Sequence, residues 1–504
     1  MPVVTTHTMS PDHPDTAQLY NALDCCVTFE VWEALQSLFN APPTIYAFER
    51  ALQAPALEMM LRGFRVDKLE CDRAVVALQK DIDQLTYVLG RMTTPICGRP
   101  INPRSGDQLR DLFYARMKIA PIWSSIKGER AVRMNRETLE KIEVYFHAQP
   151  IVATVLAIRD AYKVMESLTA GVDPDGRMRT SINVGATETG RFSSSKSTTG
   201  TGRNMFNVSE RQRRMFVADP GYKICGIDLE QAESREVGWI CWILFGDSSY
   251  LDACEAGDLH THTASMVWDD LGWTGDPTRN REIAEQLYYR DYSYRYMAKR
   301  GGHATNYLTT PYTASRHLKC PIGLMERFQK RYMDAYPCIP RWHQWVAEQI
   351  QTTHQLTTTF DRQRHFFGRT DDDATLREAV AHQPQSQTAD RLNIGLLRFW
   401  THFGTRVQIL LQLYDAIYFQ YREDDNEAEI IQEALKLIDV PLEHNGRRFT
   451  VPGEAKVGWN WAPYVSEEDV KKAKGKPPEL NLDGLKKWKG SDSRKRTAFL
   501  DQIM

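Results

Sequence analysis

Two aspartates stand where chemistry could be done. Asp415 sits inside "LLQLYDAIYFQ", residues 410–420, a run whose Leu, Ile, Tyr and Phe side chains suit a pleated, buried strand. A buried carboxylate without a cation costs on the order of several kcal/mol. Asp415 therefore either turns a hairpin toward water or meets a positive partner. Asp228 closes a second apolar strand, "GYKICGIDL". Two carboxylates at neighbouring strand ends can bridge a pair of divalent metals about 3.5–4 Å apart, and such a pair clamps the attacking and leaving oxygens of phosphoryl transfer. Mg²⁺ needs only one or two protein carboxylates when substrate phosphates supply further ligands.

A second set lies in "YRYMAKRGGHATNYLTTP". Arg295, Lys299, His303 and Tyr307 recur at steps of four, which on a helix makes one slowly drifting stripe. Two cations could meet a triphosphate and two rings could stack on a base; taken singly, each residue is better read as part of a solvated face or, for Tyr307, as a core tyrosine. Gly301 and Gly302 each cost about 1 kcal/mol against Ala in a helix and allow close approach of a ligand or another backbone. A third set is spread through "GRMRTSINVGATETGRFSSSKSTTGTGRNMFNV", where Arg177, Arg179, Arg191 and Arg203 alternate with Asn183, Asn204 and Asn207. Its Gly, Ser and Thr content suits a linker, but a linker does not need these side chains, whereas a surface gripping phosphates and base edges does.

The elements that must position these residues are mixed. Residues 20–40, 46–61 and the long "KLECDRAVVALQKDIDQLTYVLGRM" read as amphipathic helices, with Gly63 ending the second. Ser105 is a candidate N-cap, and helical periodicity continues from "NRETLEKIEVYF" to Leu168. A helix is expected from Ala232, helices across 280–350, a hairpin or loop at "FDRQRHFFGR", and a helix broken near Pro384. The chain has 504 residues, 25% of them charged, with a net charge of −2, so any basic footprint must be local. There is no signal-peptide pattern and no apolar run near the roughly 20 residues that span a bilayer. The nine cysteines show no metal-ligand spacing and fit buried, reduced thiols. A soluble cytoplasmic protein with no membrane partner is the expectation.

These segments resemble, in order from about residue 20 to residue 461, the family A (polymerase I-like) DNA polymerases, bacteriophage type. "TETGRFSSS" and "GRNMFNV" look like the primer–template segment, "RQRRMFVADPGYKICGIDLEQAESREV" like motif A, "GDLHTHTA" like the lead into the fingers, "RYMAKRGGHATNY" like motif B, "HQPQSQTADRLN" like the minor-groove helix and "LLQLYDAIYFQ" like motif C. The resemblance implies an α+β right-hand fold with a helical thumb (41–175), an antiparallel-sheet palm (176–250 and 381–461) and helical fingers (251–380). It implies template-directed addition of dNMP to a primer 3′-OH, with two Mg²⁺ ions, or Mn²⁺ as substitute, on Asp228 and Asp415. Lys299 becomes a candidate general acid. Arg295, Lys299, His303, Tyr307, Gln231 and His260 would surround the dNTP, with Glu233 as steric gate against a 2′-hydroxyl. Arg191, Asn204, Asn207, Gln385, Arg235 and Tyr414 would touch primer–template DNA.

The departures are specific. The usual His-Asp-Glu of motif C is Tyr414-Asp415-Ala416, so the second acid is missing; the Tyr-Ser of motif A is Leu229-Glu230, which raises Glu230 as a substitute; the stacking aromatic is His303. "YNALD", Tyr20 to Asp24, looks like the last motif of a 3′–5′ exonuclease whose other acids are not in the sequence. Residues 1–40 are then a remnant without proofreading in cis, or complete an exonuclease supplied by another chain. The charged tail, 462–504, reads as solvated disorder, with DNA or a replisome protein as the alternative contact. Two rival functions remain: a single-subunit RNA polymerase relative, and a primer–template-binding protein with decayed catalysis.

Overall fold

A computed structural model describes residues 16–36, 43–126, 129–169, 171–197, 201–290, 292–472 and 477–496. The chain divides into two compact units, 1–51 and 52–504. The first holds the helix Thr16–Gln36, which contains the Tyr20–Asp24 segment, and the start of the helix Pro43–Arg62; Trp32 and Tyr46 stack at 5.1 Å. The expected "APPT" stop lies largely outside the described residues.

The second unit is built around a five-stranded antiparallel sheet in the order Gln408–Leu413, Ala416–Arg422, Tyr222–Leu229, Gly453–Gly458, Lys486–Lys487. Its central strand is a nearly unbroken apolar run because both of its faces are covered. One helical cluster lies N-terminal to it. The helices Lys68–Cys97, Arg136–Ile142 and Gln149–Leu168 pack around Leu89, Phe113, Ile142 and Val155. Asp67 and Ser105 cap their helices, and Gly63, at φ +64°, lets the chain leave the helix Pro43–Arg62. A second cluster, within residues 237–380, is organised by Trp342, Phe328, Tyr332 and Met297.

Four expectations need correcting. The helix Asp373–Phe403 runs unbroken through Pro384. Proline removes one backbone hydrogen bond, but residues around it, from Ala379 to Leu396, are largely buried, and packing outweighs that local loss. The helical stretch at 280–350 is interrupted by the hairpin Leu287–Tyr289/Tyr292–Ser293. Cys25 and Cys26 are exposed rather than buried. The described part of the C-terminal tail is not solvated disorder: Lys486–Lys487 adds the fifth strand, and Asp492 pairs at 2.8 Å with Lys223 of the central strand, both side chains under 10% exposed. Among the described residues no helix is long and apolar enough to cross a membrane.

Candidate active site

Asp415 occupies the turn of the hairpin joining Gln408–Leu413 to Ala416–Arg422, so the turn reading of its position holds. The connection is only Tyr414 and Asp415, and Tyr414 takes φ +55°, a conformation that two-residue hairpins usually give to glycine. Asp415 is nevertheless half-buried, and its carbonyl accepts the Leu229 N–H at 3.0 Å. That bond ties the turn to the end of the strand bearing Asp228. On the other side Gln231, also left-handed at φ +54°, makes the corner into the helix Ala232–Phe245. Non-glycine residues in this region carry strain and collect at functional sites. Here they flank both acids.

The two carboxylates are crowded. Burial first, then Asp415, pushes Asp228 up to about 6, against the pull of Lys456. Burial likewise raises Asp415, and the Glu233 charge adds to it. Among the described residues neither side chain forms an ion pair. Half-buried and without an ion pair among the described residues, they form a set of hard oxygen donors suited to Mg²⁺. Among the described residues no group of three or more His, Cys, Asp or Glu is arranged to hold a metal, so the protein alone supplies an incomplete shell.

One acid near this pair escaped the sequence reading. Glu454 stands directly across the ladder from Asp228, as Ala416 does on the opposite flank, and it raises Asp228's proton affinity. Lys456 at 3.3 Å and Lys487 hold its carboxylate. No local pattern marks it, because cross-strand register between distant segments is not written in either segment. Glu230, by contrast, is not among the main influences on Asp228 or Asp415; its backbone N–H donates to the Pro452 carbonyl and its charge acts on Lys487.

The stripe is a helix, Tyr294–Asn306, with Tyr307 as its C-cap rather than its last turn. Arg295 is clamped bidentately by Asp258, at 2.8 and 3.0 Å. Burial would raise Asp258, but hydrogen bonds from Arg295 and Thr261 more than offset it and hold it well below the usual carboxylate range. Burial and then Arg295 push His260 down to about 4. Lys299 is exposed and has no ion-pair partner among the described residues. His303 meets Tyr307 edge-on at 4.8 Å. Desolvation by the surrounding protein lowers the imidazole's pKa below its ordinary value; the Glu233 charge opposes this, and Arg300 and Lys299 add to it. The two glycines admit neither ligand nor backbone: a Cβ on Gly301 would lie 2.4 Å from the Phe328 ring, and one on Gly302 would lie 3.1 Å from Tyr332.

Glu233 joins the parts. Its carboxylate accepts from Tyr307 Oη and from Arg191, and its charge reaches Asp415. Arg191 is placed from below. Gly190, at φ +73°, lies against the Arg362 guanidinium, where any Cβ would stand 2.5 Å away. Asp390 holds Arg362 at 2.7 Å, and Asn393 donates to the Gly190 carbonyl at 3.1 Å. The same helix carries Gln385, half-buried.

The remaining expected DNA contacts divide. Asn207 is exposed, and Tyr414 is 57% exposed with its hydroxyl on the Phe206 carbonyl. Asn204 is occupied structurally, capping Met205–Asn207 and bonding Ser194. Arg235 lies in the interior at 7% exposure, because the helix face it occupies packs inward. It is not at the surface that its expected role requires.

Comparison with known proteins places this geometry. The family model for DNA polymerase family A matches residues 72–462. Thermostable DNA polymerase I of Thermus filiformis is 26% identical over 414 residues, 78% of this chain and 46% of that protein. DNA polymerase I of Chloroflexus aurantiacus is 25% identical over 477 residues, 89% of this chain and 46% of that protein. The chain thus spans less than half the length of either relative. Among solved structures, the POL domain of Pol1 from M. smegmatis, in complex with DNA primer-template and dNTP, matches with a TM-score of 0.64 at 21% identity, covering 82% of this chain and 69% of that one.

Proposed function

The chain belongs to DNA polymerase family A, and on that premise we propose that it extends a primer 3′-OH with dNMP under the direction of a template strand. The observation that carries this reading is the pair of crowded carboxylates, Asp228 and Asp415, without an ion pair among the described residues and linked through Glu233 to Tyr307, the C-cap of the helix Tyr294–Asn306. Two Mg²⁺ ions on these carboxylates would clamp the attacking and leaving oxygens.

The chain's own residues do the rest by position and charge. Asp258 presets the Arg295 fork for phosphate. Lys299 meets the leaving pyrophosphate and gives it a proton as the 3′-oxygen, its own proton passing to water, bonds the α-phosphorus and the α–β bond breaks. His303 offers a ring to the base. Glu233, fixed by Tyr307 and Arg191, closes the space a ribose 2′-hydroxyl would need. We assign residues 41–175 to a thumb, 176–250 and 381–461 to a palm and 251–380 to fingers, with replication of a phage-type genome as the setting. Gln385, Asn207 and Tyr414 face the duplex in this reading.

Primer extension in Mg²⁺ with dNTPs and, separately, rNTPs tests it. Wild type extends with dNTPs only, and Glu233→Ala admits rNTPs. Extension by wild type with rNTPs would move the chain to the RNA polymerases. Tight primer–template binding without extension would make it a binding protein.

A further inference from the structure

The row of the sheet that carries Asp228 is asymmetric. Ala416 stands directly opposite Asp228 on one neighbouring strand and Glu454 on the other. Residues opposite one another in antiparallel strands share a face, with Cβ atoms about 4.5–5.5 Å apart. The flank where motif C's second acid is expected therefore offers only a methyl group. The acid of this row stands on the far flank, and its charge reaches Asp228.

Glu454 is aimed from outside the family-matched residues 72–462. Lys487, on the short edge strand, holds its Oε2, and Lys456 lies 3.3 Å from its Oε1. The two lysines face each other across the ladder. Like charges directly opposite are destabilising, and the Glu454 carboxylate shared between them offsets this. Lys487 is itself fixed by its neighbour: Trp488 donates its backbone N–H to the Ala455 carbonyl at 2.9 Å and its Nε1 to Glu427 at 3.0 Å. Burial would raise Glu454, but the Lys487 hydrogen bond and the Lys456 charge more than offset it, so Glu454 keeps its charge. A carboxylate has about four acceptor positions, and one lysine on each oxygen leaves acceptor capacity on both.

We propose that Glu454, aimed by Lys487, replaces the missing motif C acid as a positioning residue, accepting a hydrogen bond from a water in the shell of the metal that Asp228 holds. The inference rests on the function proposed above and gives the C-terminal strand a part in it. Among the described residues no three acids form a direct ligand set, and Mg²⁺ keeps several of its waters, so Glu454 acts through water. Partners of this kind set metal affinity without touching the ion.

The test is Mn²⁺ binding to the full chain without DNA or nucleotide, read from the EPR signal of the free ion. Wild type, Asp228→Asn, Glu454→Gln, Lys487→Met and Lys487→Arg are compared, and the site is the Mn²⁺ that wild type binds and Asp228→Asn does not. Glu454→Gln should weaken it about tenfold. Lys487→Met should weaken it too, and Lys487→Arg should leave it as in wild type. In a Glu454→Gln background, Lys487→Met should no longer weaken it. The direction is decisive, because removing a nearby cation by its charge alone would tighten a divalent-ion site. An unchanged or tighter site in Glu454→Gln or in Lys487→Met overturns the proposal. So does a loss in Lys487→Met that Lys487→Arg shares, which would mean a structural role. If wild type binds no more Mn²⁺ than Asp228→Asn, the proposed function itself fails.

Discussion

Beneath the site, Arg391 and Glu236 meet at 2.7 Å with neither side chain exposed, and Arg362 grips Asp390. At the strand ends, Asp228 and Asp415 bring two carboxylates close enough to raise Asp228, with no ion pair to either among the described residues. Charge meets charge in these two buried pairs, whereas at the strand ends the two acids have no ion pair among the described residues. The buried Arg362–Asp390 pair and Asn393 on the helix Asp373–Phe403 hold Gly190 and hence Arg191, whereas Asp228, Asp415 and Lys299 form no ion pair among the described residues.

Four changes would break or sharpen this contrast. The largest effect belongs to the buried side. Glu236→Ala leaves Arg391 buried without its carboxylate, and urea unfolding should show a loss of about 3–5 kcal/mol. Next comes His382, fully buried, with its Nδ1 3.1 Å from Ser386 Oγ and held down to about 3 by burial and then by Arg364 and Arg362. The unfolded histidine takes up a proton near pH 6.5 and the folded one does not. Stability is therefore complete above 6.5 and declines as pH falls toward 3. Between pH 6.5 and 5 this group costs about 2 kcal/mol, and His382→Gln should flatten that part of the pH–stability curve.

The working side should respond with the opposite sign. Asp228→Asn, measured in EDTA, should raise the melting temperature, equivalent to about 1–2 kcal/mol, by removing one of two crowded charges. A lower melting temperature would mean that the acid holds the fold. Smallest is Tyr307→Phe, which deletes one hydrogen bond to Glu233. Discrimination against rNTPs should fall by less than about tenfold, the worth of about 1 kcal/mol.

Much of the site was legible because its residues violate local rules. Asp415 stands out since an acid in an apolar strand run is costly, and the 295–307 stripe stands out by its period. Three features were hidden because they are decided at a distance. Glu454 reaches Asp228 through strand register, which neither segment encodes alone. The strand at Lys486–Lys487 is two charged residues long and gains its place from the sheet edge and from the Asp492–Lys223 pair. The unbroken helix through Pro384 reflects packing on all sides, which no propensity reports. Arg203 lies between: its residue type was visible in the sequence, but only the structure shows that, among the described residues, it has no ion pair while Arg177, Arg179 and Arg191 do.

The most direct test of the central claim is primer extension by Asp415→Asn, with thermal unfolding and primer–template binding measured on the same preparation. The account predicts no extension, unchanged duplex binding and a melting temperature at or above wild type. Extension at the wild-type rate would contradict it, because the charge at the hairpin turn would then have no part in the chemistry.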